Sequence, residues 1–117
     1  MEFTSGGTRG LQLDEERFNI PDGNNIYGKI KGTVSKEQIA TKFHELGWSV
    51  RKSSWTDFEI ESQWAELNIE GDKEVLFNGT IDETKFEELE DLLIKFGFEF
   101  SLELYNQEQE LLKKTSN

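Results

Sequence analysis

Apolar and polar residues alternate over much of the second half of the chain. Phe58 and Ile60 share one parity, with Asp57, Glu59 and Glu61 on the other. Ala65, Leu67 and Ile69 then take one side, with Trp64, Glu66, Asn68 and Glu70 opposite. A period of two predicts strands with one buried face and one wet face. The parity changes between Ser62 and Ala65, which predicts a tight turn or bulge there. Glu70-Gly71-Asp72-Lys73 reads as a hairpin turn leading into Val75-Leu76-Phe77. Phe98, Phe100, Leu102 and Leu104 alternate with Glu99, Ser101, Glu103 and Tyr105, predicting a long strand.

Two segments switch to helical spacing. Ser35-Lys36-Glu37-Gln38 has the form of a capping box, followed by Ile39, Phe43 and Leu46 as an apolar stripe and Gly47 as the stop. Asp82 can cap a second, longer helix whose apolar face is Phe86, Leu89, Leu92, Leu93 and Phe96, ending at Gly97. Glu87, Glu88, Glu90 and Asp91 fall on its other sides. Trp48, just after Gly47, is expected in the core.

The two halves repeat one pattern. FNIPDGNNIYGKIKGTVSKEQIATKFHELGWSVRKS, from Phe18, and LNIEGDKEVLFNGTIDETKFEELEDLLIKFGFEFSLEL, from Leu67, each run strand, turn, strand, Gly-Thr, helix, Gly, aromatic, strand. The expectation is a duplicated strand–strand–helix–strand unit. It would fold as an α+β two-layer sandwich, an antiparallel or mixed sheet with two helices on one face, ferredoxin-like or related. Residues 1–16 read as a flexible leader, 17–106 as one domain and 107–117 as a polar tail. In that tail Glu108, Leu111 and Leu112 fit a helical extension or a frayed end equally well.

Charge sharpens the picture. The net charge is −11, and the thirteen acids and two lysines of residues 57–91 account for all of it. A field of that sign repels nucleic acid and anionic membrane and attracts basic proteins. There is no cysteine, which excludes disulfides, thiolate catalysis and cysteine-ligated metals. The single histidine, His44, lies off the apolar stripe of its helix and reads as solvated. No phosphate-binding glycine loop is present. DGNN and EGDKE are turns, too short for a calcium loop. No apolar run is long enough to span a bilayer, and MEFTSGGTRG lacks the basic and apolar regions of a signal peptide. The expectation is a cytoplasmic protein, monomer or homodimer, with no enzymatic activity, cofactor or metal. Trp55, Trp64 and Tyr105 would be the stacking aromatics of an RNA-binding sheet, but the surrounding acids oppose a phosphate backbone.

What is left is a protein-binding face. Its candidate residues are Asp57, Glu59 and Glu61 on one strand, Trp64, Glu66 and Glu70 on the next, and Asp72 in the hairpin turn. Tryptophan is a common interface anchor, and the flanking acids would steer a basic partner. Gly32-Thr33 and Gly79-Thr80 would offer strand–helix junctions to a small ligand, in the manner of ACT-type regulatory domains.

With its VLFNGTID and ELYN segments, the small, acidic, cysteine-free chain resembles bacterial toxin-immunity proteins. That resemblance implies a non-enzymatic inhibitor that plugs the cleft of a basic toxin or nuclease domain. TVSKEQIATKFHELGWSV and TIDETKFEELEDLLIKFGFEF also resemble, in layout, the acidic regulators of ribonuclease E. The end of this chain, QEQELLKKTSN, departs from that family's very acidic tail.

Overall fold

Both helices end in the same way, and that ending is the clearest trace of the internal repeat. The computed structural model describes residues 18–117; the expected leader lies outside them. Helix α1 (Lys36–Glu45) closes with Gly47 N–H donating to His44 O (2.9 Å) and Trp48 N–H donating to Phe43 O (3.1 Å). Helix α2 (Phe86–Lys95) closes with Gly97 N–H donating to Ile94 O (2.9 Å) and Phe98 N–H donating to Leu93 O (3.1 Å). This double bond pattern needs a left-handed residue after the cap, and Gly47 (φ 96°) and Gly97 (φ 87°) supply it. Each glycine turns the chain so that the next aromatic, Trp48 or Phe98, enters the core.

The helix starts follow their sequence signals. Ser35 Oγ accepts from Gln38 N–H (3.1 Å), and Ser35 N–H donates to Gln38 Oε1 (2.8 Å). Asp82 caps a 3₁₀ turn, Glu83–Lys85, that leads into α2. The extra length expected of the second helix is this turn, since α1 and α2 have 10 residues each.

Among the described residues seven strands form one antiparallel sheet: β1 (Ile26–Lys31), β2 (Ser49–Lys52), β3 (Phe58–Glu61), β4 (Ala65–Glu70), β5 (Val75–Ile81), β6 (Glu99–Tyr105) and β7 (Leu111–Ser116), in the order β2-β3-β4-β5-β1-β6-β7. Both helices cover one face. Phe43 of α1 lies over Phe77 of β5 (5.9 Å between centroids) and against Phe96 at the end of α2 (5.1 Å). Ile26, Ile60, Leu67, Ile69, Phe100 and Leu102 complete this core from the strands.

Five expectations change. The sheet has seven strands, more than a ferredoxin-like sheet of four. Residues 18–20 form no strand, so the repeat reduces to β1-α1-β2 and β5-α2-β6. The polar tail is not a tail: Leu111–Ser116 pairs along β6 as β7. It holds there because Lys113 pairs with Glu87 and Thr115 Oγ1 donates to Glu90, which tie the strand to the acidic side of α2. Leu46 caps its helix outside the stripe and is exposed, while Ala40 fills the buried position. His44 is half-buried, not solvated.

Candidate protein-binding face

Among the described residues no element packs on the face of the sheet away from the helices, and the strand registers place its side chains in rows. Across one row lie Glu61, Glu66 and Thr80; across the next lie Arg51, Glu59, Asn68, Asn78, Tyr27, Glu103 and Lys114. Glu70 stands beside Leu76 in the row after that. Of the seven residues expected at the interface, Glu59, Glu61, Glu66 and Glu70 share this face on β3 and β4. Glu59 pairs with Arg51 across β2–β3, and Glu70 accepts from Asn78 Nδ2 (3.1 Å). Asp72 is exposed at the β4–β5 hairpin, beyond the end of the sheet face.

Trp64 and Asp57 stand elsewhere. Trp64 lies outside β4, in a turn that Ser62 N–H closes onto Ala65 O (2.9 Å). The turn lies where the change of parity between Ser62 and Ala65 predicted one, and Trp64 belongs to it and not to the strand. The indole swings to the helix side, only 8% exposed, and packs edge-on to Trp48 (5.1 Å). The large apolar area of an indole makes burial the favoured outcome once the turn allows it. Asp57 precedes β3 and points to α1, where Lys36 Nζ donates to it (2.9 Å). The same ammonium donates to Gly71 O, so one lysine ties α1, β3 and the β4–β5 turn together. The Lys36 hydrogen bond holds the Asp57 carboxyl below its ordinary pKa. Trp55, 94% exposed, sits at the β2–β3 loop tip, where Ser54 Oγ accepts from the Thr56 and Asp57 amides. It projects from the loop and does not lie on the sheet face.

Gly79-Thr80 is not a strand–helix junction. It lies inside β5, where a Cβ on Gly79 would meet Glu66 O at 2.2 Å. The absence of a side chain lets β4 and β5 approach closely behind Glu66.

Sequence reasoning overlooked a cleft of about 630 Å³ at the end of the sheet where β1 begins and β5 and β6 end. Asp22, Asn24, Glu83, Tyr105, Gln107 and Glu108 line it, and among the described residues no lysine or arginine does. Its floor is built by Asn25, which bonds both Ile81 N–H and Ile81 O (2.9 Å each), and by Asp82, which accepts from Asn19 N–H (2.8 Å), Thr84 N–H (2.9 Å) and Thr84 Oγ1 (2.6 Å). Burial pushes the Asp82 carboxyl up, but the hydrogen bonds from Thr84 and Asn19 outweigh it, and its pKa is lowered. Asn25 and Asp82 therefore serve the scaffold. Glu61 and Glu66 occupy this same end of the sheet.

Among the described residues no group of His, Asp or Glu side chains is arranged to hold a metal ion, and no helix is long and apolar enough to cross a membrane. The chain matches no protein-family model, no curated protein and no solved structure.

Proposed function

We propose that the chain is a non-enzymatic protein-binding inhibitor that works in the cytoplasm and masks a basic surface of its partner, in the manner of an immunity protein against a nuclease-type toxin. The observation that carries this reading is the open face of β3 and β4, where Glu59, Glu61, Glu66 and Glu70 stand on adjacent strands backed by a rigid core. A predominantly acidic array on a preformed sheet steers a basic partner and discriminates against acidic ones. The ribonuclease-regulator reading shares this surface and differs only in the partner. The inner strands β4-β5-β1-β6 and the two helices fit an enlarged ferredoxin-like scaffold, whose open face is available for contact.

The test is capture from a lysate of the native cells, with parallel washes at low and high salt and identification of what is retained. One stoichiometric basic nuclease or toxin domain supports the immunity reading. Ribonuclease components favour the regulator. Its association rate with the chain should fall steeply between low and high salt, because screening acts on exposed charges. A partner with an acidic or neutral contact surface, or none at either salt, overturns the proposal.

A further inference from the structure

An interface that binds tightly needs an apolar anchor inside its charged rim, and with Trp64 buried the anchor must be found elsewhere. The open face carries one. Tyr27 and Tyr105 meet edge to face on β1 and β6 (5.7 Å between centroids). Leu111 stands directly opposite Tyr105 across β6–β7 and is 51% exposed; Tyr27 is 37% exposed, and Leu112 beside the β-bulge is 45% exposed. These are large apolar groups left in water on a face whose opposite side is fully packed. The Tyr105 hydroxyl donates to Glu103 (2.9 Å), which fixes the ring and raises its pKa, keeping it a neutral surface.

This cluster borders the cleft, since Tyr105 belongs to both. The carboxylates of Asp22, Glu83 and Glu108 line the cleft, with no cationic side chain among the described residues of its walls. Glu66 lies three strands from Tyr105, roughly 14 Å at the usual strand spacing. Lys85 flanks the cleft beyond Glu83 and Thr84, where its charge acts on Asp82, and Lys114 pairs with Glu103 on the open face; Lys29 and Lys31 stand toward the other end of β1, where Glu74 pairs with Lys29. Apolar surface, acid-lined cleft and acidic sheet rows thus adjoin at one end of the molecule.

Resting on the proposed inhibitory function, we infer that the partner is anchored here: an apolar side chain of a basic protein packs on Tyr27, Tyr105 and Leu111 while an adjacent arginine or lysine enters the cleft. The aliphatic stem of such a residue suits the Tyr105 ring, and its charged head suits the carboxylates. The β3–β4 carboxylates then act in steering, not in anchoring.

The probe is acetyl-Leu-Arg-Leu-Arg-amide, titrated at low ionic strength into the ¹⁵N-labelled chain, with acetyl-Leu-Glu-Leu-Glu-amide as control. The expected result is saturable shifts at the amides of Asn24, Glu83 and residues 105–109 with the basic peptide alone. Tyr105→Ser and Leu111→Ser should each weaken it at least about tenfold, the loss expected of an interface anchor. Both positions are at the surface, and an unchanged spectrum of the free variant verifies its fold. Shifts confined to residues 59–70 overturn the anchor and leave the acidic-face reading standing. An equal response to the acidic peptide, or no saturable shift at the cleft, also overturns the anchor, whereas the inhibitory function stands or falls by the capture experiment.

Discussion

Glu61 and Glu66 face one another directly across β3 and β4, two carboxylates in register on one side of the sheet. Like charges at such a site oppose folding, by about 0.2–1 kcal/mol in the usual range. Glu66→Gln is therefore expected to raise the urea midpoint slightly while lowering the association rate with the basic partner. Equilibrium unfolding and stopped-flow binding on one protein preparation check both halves. A variant that is less stable, or that associates as fast as wild type, contradicts the assignment of this pair to steering.

Trp64→Ala should destabilise the fold by roughly 3–5 kcal/mol, the cost of removing a large buried aromatic. The loss comes from the Trp48–Trp64 contact under the helix layer. Trp64→Phe, which keeps a ring there, should cost less. The measurement is urea unfolding followed by far-ultraviolet circular dichroism. Binding by the folded Trp64→Phe variant should remain close to wild type.

The alternation of Phe58 to Ile69 was enough to identify which faces of β3 and β4 are buried, because sheet burial has a strict period of two. It failed at Trp64 because that residue belongs to the turn expected between Ser62 and Ala65, where the strand's parity no longer sets the side-chain direction. Asp57 could not be placed from its own strand, since its partner Lys36 is distant in sequence and meets it only after α1 packs. Strand β7 lacked any periodic signal: Lys113 and Thr115 reach α2 while Lys114 reaches Glu103, so both of its faces are polar. Helix starts and stops were legible because capping is chemistry between close neighbours. The cleft was not, because it gathers residues from three separated segments.

Asp57 and Asp82 both have lowered carboxyl pKa values in the fold. Each contributes stability that is fully present above the ordinary carboxylate pKa of about 3.9 and is lost as pH falls through the lower folded value. Thermal unfolding should therefore show a decline in Tm below about pH 4. Lys36→Met removes the main cause of the Asp57 shift, so this variant should be less stable near neutrality and show a shallower acid decline. An acid profile parallel to wild type would separate Asp57 from the acid transition.

Deleting residues 111–117 strips the partners from Glu87 and Glu90 and bares the edge of β6. The expected outcome is a Tm lower by roughly 5–10 °C and concentration-dependent association, because an unpaired strand edge recruits other strands. Differential scanning calorimetry and light scattering over a concentration series test it. A deletion as stable and as monodisperse as the full chain would reduce β7 to decoration.

The strand order has a kinetic meaning. Of the strands among the described residues β1 is synthesised first, yet it sits between β5 and β6, whose residues emerge much later. Its slot does not exist until most of the chain is available. Such long-range closure raises contact order and slows folding. β2 through β5 can meanwhile assemble as a meander. The fold is therefore completed in one late step, when β1 is locked into the middle of the sheet by β5 and β6. An interrupted nascent chain would carry the acidic strands without the Tyr27–Tyr105 contact that spans the seam.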